Sequence, residues 1–347
     1  MISSALETHI ATFGAAINVT PSAVIQVKSG IGDTIWHLPF IRAIAAVSPS
    51  GVVTFFAPPA SHAKELLAAE PSIAETIYFE HSGSELQRGL NLIRLAMLLR
   101  RGRFRSIWIL DRTIRPALAA RLAGIPERIG IGLGAQKLFI TNPGVDHSHF
   151  HDHPIGWLTA LMAAMAVPLP STEPNLRIPE QIRAAIWEKF KLCARPWIVL
   201  GIGASDSRRD WSDEYWAEFL AALHRRGAGT VFLIGGGSNT ARAQKLIDRT
   251  TGATDINACG LNLVEACALL HGSDIFVGPD SGPMNLAAAC ATTTFALFGV
   301  NPVLSYSKHI HAIVPPGGRS PDGMARISPA QVIERVTPYL SQRKLSH

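Results

Sequence analysis

Two short glycine-bearing segments carry the residue types best suited to chemistry. Gly30-Ile31-Gly32-Asp33 sets a carboxylate on a tight turn between the apolar run Ala23 to Val27 and a helix-like stretch from Thr34 to Val47. Gly278-Pro279-Asp280-Ser281-Gly282-Pro283-Met284-Asn285 follows Asp274 to Val277 and opens into Leu286-Ala287-Ala288-Ala289. Both read as strand, turn and helix start. Backbone N–H groups at a helix N-terminus lack intrahelical partners, and together with the helix dipole they favour an anion. A carboxylate on such a turn suits proton abstraction when the proton lies within hydrogen-bond reach. Asp33 equally suits capping the helix that follows it. Gly282 permits close approach of backbone to a ligand, and Pro283, having no N–H, fits the first helical turn. Asp280 would repel an anion, so it is expected to orient the turn.

Other candidates surround these two turns. Arg208 and Arg209 follow the apolar run Trp197 to Ile202, and a guanidinium there can hold a phosphate through two parallel hydrogen bonds. An exposed surface pair is the alternative reading. Ser205 and Ser207 add hydroxyl donors. In Asp146-His147-Ser148-His149-Phe150-His151-Asp152-His153, alternating imidazoles on an extended strand would share one face, as metal ligands do; a surface loop, or one or two histidines in a cleft, is the competing reading. Trp36 and His37 follow Asp33 closely enough to line a substrate site, although Trp36 on a helix equally suits the core.

The elements that must position these residues alternate along the chain. Strands are predicted at Ala23 to Val27, Val52 to Ala57, Glu75 to Phe79, Ser106 to Leu110 and Arg128 to Ile131. Helices fit between them at Thr34 to Val47, Ser61 to Ala69, Leu86 to Leu99 and Pro116 to Ala123, with a further helix at Pro154 to Met165. The second half repeats the scheme, with strands at Trp197 to Ile202, Thr230 to Ile234, Asp274 to Val277 and Thr294 to Phe298. Its helices are predicted at Asp213 to Leu223, Asn239 to Arg249, Leu263 to His271, Met284 to Ala291 and Pro329 to Leu340. Such alternation makes parallel sheets covered on both faces, hence an α/β fold of two doubly wound domains. The proline-rich Pro168-Leu169-Pro170-Ser171-Thr172-Glu173-Pro174 is the expected linker and hinge, dividing the chain into residues 1–170 and 171–347.

Composition narrows the classes. With 347 residues, 47% hydrophobic and 17% charged, the chain can bury the cores of two domains. No apolar run reaches the roughly 18 residues of a membrane span, and Met1 to Thr20 does not read as a signal peptide. Cys193, Cys259, Cys267 and Cys290 show no CxxC spacing, which predicts buried thiols in a reducing cytoplasm. Between Leu86 and Lys137 eleven basic residues face only Asp111 and Glu127. Beside Leu95, Met97, Leu98 and Leu99, that surplus suits an anionic membrane or a phosphorylated acceptor as well as a plain solvated face. Only Phe104 and Trp108 fall among these arginines, too few for a base-stacking platform, so a nucleic-acid partner is not expected.

Taken in order, several segments resemble the family 9 glycosyltransferases, the bacterial ADP-heptose:lipopolysaccharide heptosyltransferases. They are Gly30-Ile31-Gly32-Asp33 with His37-Leu38-Pro39; Gly201-Ile202-Gly203-Ala204 with Arg208-Arg209-Asp210-Trp211 and Trp216-Ala217; Gly235-Gly236-Gly237; and Asp280-Ser281-Gly282-Pro283-Met284-Asn285-Leu286 through Leu297-Phe298-Gly299. The resemblance spans roughly Ala23 to Leu340. It implies a GT-B fold, two Rossmann-like domains facing a central cleft, with the acceptor on the first and the donor on the second. It further implies metal-independent, inverting transfer of a sugar from a nucleotide diphosphate, ADP-heptose by default, to lipopolysaccharide core or another glycoconjugate, by a cytoplasmic enzyme that can sit peripherally on the inner membrane.

By the same resemblance Asp33 matches the catalytic aspartate, and the donor diphosphate falls to Asp280, Ser281, Gly282, Pro283 and an arginine, where the tryptophan register favours Arg209 over Arg208. Gly203, Ser205, Gly236, Ser238, Asn239 and Asn285 are expected around the rest of the donor; Gly32, Trp36, His37, Arg112 and His153 around the acceptor. The last helix, about 328–342, is expected to pack back on the first domain. Two departures stand out: many members carry histidine where Asn285 stands, and asparagine forms hydrogen bonds without carrying charge; and Gly235-Gly236-Gly237-Ser238-Asn239 offers no acid for ribose hydroxyls, leaving Ser238 or Asn239. A nicotinamide oxidoreductase would want a third glycine after Gly30 and Gly32, whereas a sugar-nucleotide epimerase, or a non-catalytic descendant that binds sugar nucleotide or protein, could share the fold.

Overall fold

The computed structural model describes residues 22–151, 153–204, 206–250 and 255–343; Met1 to Thr20 and Ser205 lie outside the described residues. The first lobe runs β1 (Ser22–Ile25), α1 (Ile31–Val47), β2 (Val53–Ala57), α2 (Ala63–Leu66), β3 (Ile73–Tyr78), α3 (Glu85–Arg101), β4 (Ser106–Ile109), α4 (Ile114–Leu122), β5 (Glu127–Gly130) and α5 (Pro154–Ala164). The second runs α6 (Glu180–Phe190), β6 (Trp197–Gly201), α7 (Asp213–Arg225), β7 (Thr230–Ile234), α8 (Thr240–Asp248), β8 (Ile256–Asn257), α9 (Leu263–Gly272), β9 (Ile275–Pro279), α10 (Gly282–Ala289), β10 (Thr293–Leu297), β11 (Ile310–Ile313) and α11 (Pro329–Arg343).

Each lobe is built on a parallel sheet, ordered β3-β2-β1-β4-β5 in the first and β11-β10-β9-β6-β7-β8 in the second. The inner strands β1, β2, β4, β6, β7 and β9 are buried throughout, which is why their sequences read as apolar runs instead of alternating. Strand order reverses between β1 and β4, and again between β6 and β9. At such switch points neighbouring crossovers diverge to opposite faces and leave a crevice at the carboxyl ends of the strands. The turns carrying Asp33, Arg209 and Asp280 all leave strands that border those crevices.

An apolar core continues from lobe to lobe, because α1 packs on α10 and α2 on α9. Another core lies behind the second sheet, where Trp211, Trp216 and Phe219 meet Val332, Ile333, Val336 and Leu340. The last helix therefore packs on α7 of the second lobe, not on the first lobe as the resemblance implied: Val332, Val336 and Leu340 recur on one helical face and complete that aromatic cluster. Three elements escaped the sequence reading: the edge strands β8 and β11, and helix α6, which buries only Ile186 and Phe190. All four cysteines are free thiols, but Cys193 is partly exposed. Among the described residues no helix is long and apolar enough to cross a membrane.

The proline-rich connection is tied to both lobes. Thr172 Oγ1 donates to the Tyr306 carbonyl (3.1 Å), the Lys308 N–H to Glu173 (2.7 Å) and the Leu176 N–H to the Ala289 carbonyl (2.8 Å). From the first lobe, the Arg42 guanidinium donates to the carbonyls of Pro174 (2.5 Å) and Asn175 (2.9 Å) while pairing with buried Glu70 (2.6 Å). Burial pushes the Glu70 carboxyl up, but Arg42 and Ser72 outweigh it and hold it below the usual range. Arg42→Ala should cost roughly 2–3 kcal/mol in urea unfolding at neutral pH, since a buried carboxylate loses its cation. Because Glu70 titrates below its unfolded value, that difference should shrink as pH falls through its folded pKa; a pH-independent loss would contradict the assignment.

Candidate active site

The turn after β1 brings Asp33 into α1 as its third residue, with Gly30 at the cap position. The Gly30 and Asp33 backbone N–H groups favour the charged form of the Asp33 carboxylate at this helix start; it also lines the cleft, and support of the helix end and exposure to a substrate coexist. Gly30 is needed for this, since a Cβ there would stand 2.5 Å from Asp33 Oδ2. Lys28 Nζ lies 3.6 Å from Asp33 Oδ1. Burial raises the Asp33 pKa above the ordinary carboxylate value, and Lys28 with the backbone N–H groups limits the rise. Asp111, after β4, accepts the Val27 N–H (2.5 Å) and is itself pushed up to about 6 by burial.

Beneath this turn Gln26 acts as a strut, donating to the Lys28 carbonyl (2.7 Å) and Thr34 Oγ1 (3.1 Å) while its Oε1 pairs with His37 Nδ1 (2.7 Å). With Gln26 Oε1 accepting, His37 carries its proton on Nδ1. Burial holds the His37 pKa down to about 3. His37 is therefore a neutral support under the Asp33 turn, and the expectation that it touches an acceptor is corrected: α1 is buried nearly all round, leaving this ring inside the lobe.

The second lobe contributes the N-terminus of α10, where Ser281 sits at the cap with its buried hydroxyl unpartnered. Asp280 turns its carboxylate to the Asn301 amide (2.7 Å) and lies 3.5 Å from Arg209, whose guanidinium also donates to the Asp280 carbonyl (2.9 Å). The carboxylate thus orients the loop and its arginine. First residues of two helices meet here: a Cβ on Gly282 would be 3.6 Å from Ile31 Cβ. Next to them Asn285 Oδ1 accepts both the Trp36 indole N–H (2.8 Å) and the Tyr306 hydroxyl (2.6 Å), while its amide donates to the Ser281 carbonyl (2.9 Å). A Cβ on Gly32 would stand 2.9 Å from the same amide nitrogen, so glycine lets the lobes close to this distance.

Between the lobes is a cleft of about 790 Å³. Asp33, Gly32, Trp36 and His153 line it from the first lobe, and Gly203, Arg209, Gly236, Ser238, Asn239, Asp280, Ser281, Gly282, Pro283 and Asn285 from the second. Two further expectations are corrected. Arg208 points to solvent and folds onto Asp206 (2.7 Å), because the short 3₁₀ turn Ser207–Arg209 sends successive side chains in different directions. Arg112 lies over the Trp157 ring at 4.0 Å, lining a separate hollow. Asn285 borders the cleft, but its amide is committed to Trp36, Tyr306 and Ser281.

His153 caps α5 and meets Trp36 edge-on at 4.7 Å; among the described residues no three His, Cys, Asp or Glu side chains gather as metal ligands would. Sequence reasoning missed Lys28, His62 and Asn301. Lys28 and Asn301 sit within two residues of the glycine signals and could have been found there.

The two-lobe fold is shared with known proteins. A family model described as glycosyltransferase family 9 (heptosyltransferase) matches residues 92–307. Lipopolysaccharide heptosyltransferase 2 of Salmonella typhimurium is 24% identical over 330 residues, covering 91% of this chain and 88% of that protein. The solved E. coli ADP-heptose LPS heptosyltransferase II superposes with a TM-score of 0.75 at 22% identity, covering 93% of this chain and 99% of the other. A family 9 glycosyltransferase from Veillonella parvula gives 0.76 at 18% identity, over 93% and 97%.

Asn285→Ala should cost about 1–3 kcal/mol for each donor left unpaired, Trp36 and buried Tyr306, and should enlarge the radius of gyration in small-angle scattering. Unchanged urea stability and radius would show that the amide does not hold the lobes together.

Proposed function

The chain belongs to glycosyltransferase family 9, and from that membership we propose that it transfers a heptose from ADP-heptose to a lipopolysaccharide core, with inversion and without a metal ion. Residues 1–170 hold the acceptor in this reading and residues 171–347 the donor. One observation carries it: the carboxylate of Asp33 and the open N-terminus of α10 line the same cleft, where helix first residues face each other.

Asp33 takes the proton from an acceptor hydroxyl as that oxygen attacks the anomeric carbon, and the bond to the diphosphate breaks on the opposite face. Its raised pKa makes it a stronger base than a solvated aspartate. Arg209, the Gly282 and Met284 N–H groups and the Ser281 hydroxyl are the donors for the departing diphosphate. They are already oriented, so charge develops against fixed dipoles. Arg209 supplies the cation that a divalent metal supplies elsewhere. Ser238 and Asn239 are assigned to the ribose side, and Trp36 with His153 to the acceptor side. Free thiols suit a reducing compartment, and a cytoplasmic location belongs to the same reading.

Family membership favours transfer over the epimerase and oxidoreductase readings; a non-catalytic descendant is separated by experiment. Asp33→Asn should lower kcat by roughly 10²- to 10⁴-fold while ADP-heptose still binds, and a chain with no turnover to lose would end the proposal. In the wild type, kcat/KM should fall towards acid with a midpoint above the ordinary aspartate value of about 4. Lys28→Met removes a charge that favours the carboxylate, so its midpoint should move higher still. Arg209→Ala should weaken ADP binding tenfold or more in calorimetry, and turnover should survive EDTA; loss of turnover with chelator would refute the metal-free assignment.

A further inference from the structure

One face of the first lobe takes no part in the cleft or the core. Helix α3 buries Asn91, Leu95 and Leu99, yet Leu86, Leu90, Ile93 and Met97 are 75%, 46%, 54% and 49% exposed. Their spacing of four, three and four residues, at about 100° per residue, gathers them into a strip roughly 60° wide, opposite the buried Leu95. Arg100 lies along one margin of the strip, and Arg94 and Arg101 along the other. Arg103 follows the helix end, and all four are exposed. The nearby acids are already engaged, Glu85 with Arg88 and Glu127 with Arg105.

The strip therefore offers unbranched and branched aliphatic side chains bordered on both sides by uncompensated guanidinium groups. That is the composition of a helix lying in the plane of a membrane interface: apolar side chains enter the headgroup and acyl boundary while long cationic ones reach lipid phosphates. A protein partner fits less well. The strip contains no aromatic anchor, and four side chains fall far short of the roughly 800 Å² per partner of a stable interface.

We propose that this face of α3 docks the enzyme on an anionic phospholipid bilayer, with Leu86, Leu90, Ile93 and Met97 inserted and Arg94, Arg100, Arg101 and Arg103 on lipid phosphates. The inference rests on this surface alone, so it holds or fails separately from the transfer reaction. It also differs from the sequence expectation in its residues, since Leu95 and Leu99 are core and Leu86, Leu90 and Ile93 take their place.

Co-sedimentation of the full chain with vesicles tests it. The protein should bind phosphatidylcholine vesicles containing phosphatidylglycerol, bind pure phosphatidylcholine weakly, and lose affinity as salt rises. Arg100→Gln/Arg101→Gln/Arg103→Gln should weaken binding on the order of a hundredfold, and Leu90→Gln/Ile93→Gln tenfold or more. Lys245→Gln/Arg249→Gln, exposed cations of the second lobe, should leave binding unchanged. All substituted side chains are exposed, so thermal unfolding should not move. Absent wild-type binding, equal loss in the second-lobe control, or a wild-type dimer in light scattering that Leu90→Gln/Ile93→Gln dissociates would each overturn the proposal.

Discussion

Two helix N-termini converge on one gap, and the rest of the site answers that electrostatic fact. Each end carries roughly half a positive charge, and the first residues of α1 and α10 face each other where these helices pack across the lobes. Like-signed ends tolerate such closeness when negative charge stands beside them. Asp33 supplies it for α1 beside the Gly30 N–H, and Asp280 supplies it beside α10 while steering Arg209. What remains uncompensated is the open donor set of α10 and the unpartnered Ser281 hydroxyl. In the proposed reaction a diphosphate would match that remainder in charge and hydrogen-bonding capacity.

In the proposed reaction the Asp33 carboxylate would serve both the helix start and the chemistry. Capping would normally stabilise its ionised form and depress its basicity. Here burial dominates, with Lys28 as a moderating cation at 3.6 Å. Gln26 and neutral His37 fix the backbone of the turn from below, so the carboxylate has little freedom to wander from its direction into the cleft. Preorganisation of this kind is what lets positioned groups lower a barrier without rearranging during the reaction.

Local signals in the chain reveal the inner strands and the two turns, because strand, glycine and helix start are neighbours in sequence; the short edge strands β8 and β11 leave no such signal, and the pairing of Asp33 with the Asp280 to Pro283 loop is implied by the family resemblance. What could not be read there depended on distant partners. Trp36 and Asn285 are 249 residues apart, and nothing near Asn285 announces an indole waiting for its carbonyl. His37 and Trp36 are adjacent, yet one is sealed in the lobe and the other faces the cleft, and a helix buried on nearly every side gives no polar face from which to choose. Arg208 and Arg209 differ by the direction of one 3₁₀ turn. The destination of α11 was settled by aromatic side chains on α7, a matter of tertiary complementarity and not of the helix's own pattern.

The joint formed by Trp36, Asn285 and Tyr306 has a chemical consequence of its own. An indole and an amide exchange no proton in the biological range, and burial drives the phenol of Tyr306 still further from ionising. The contact holding the halves in register is consequently indifferent to acidity. An imidazole at that position would gain and lose charge near neutrality; the asparagine keeps this joint between the lobes uncharged at every physiological acidity.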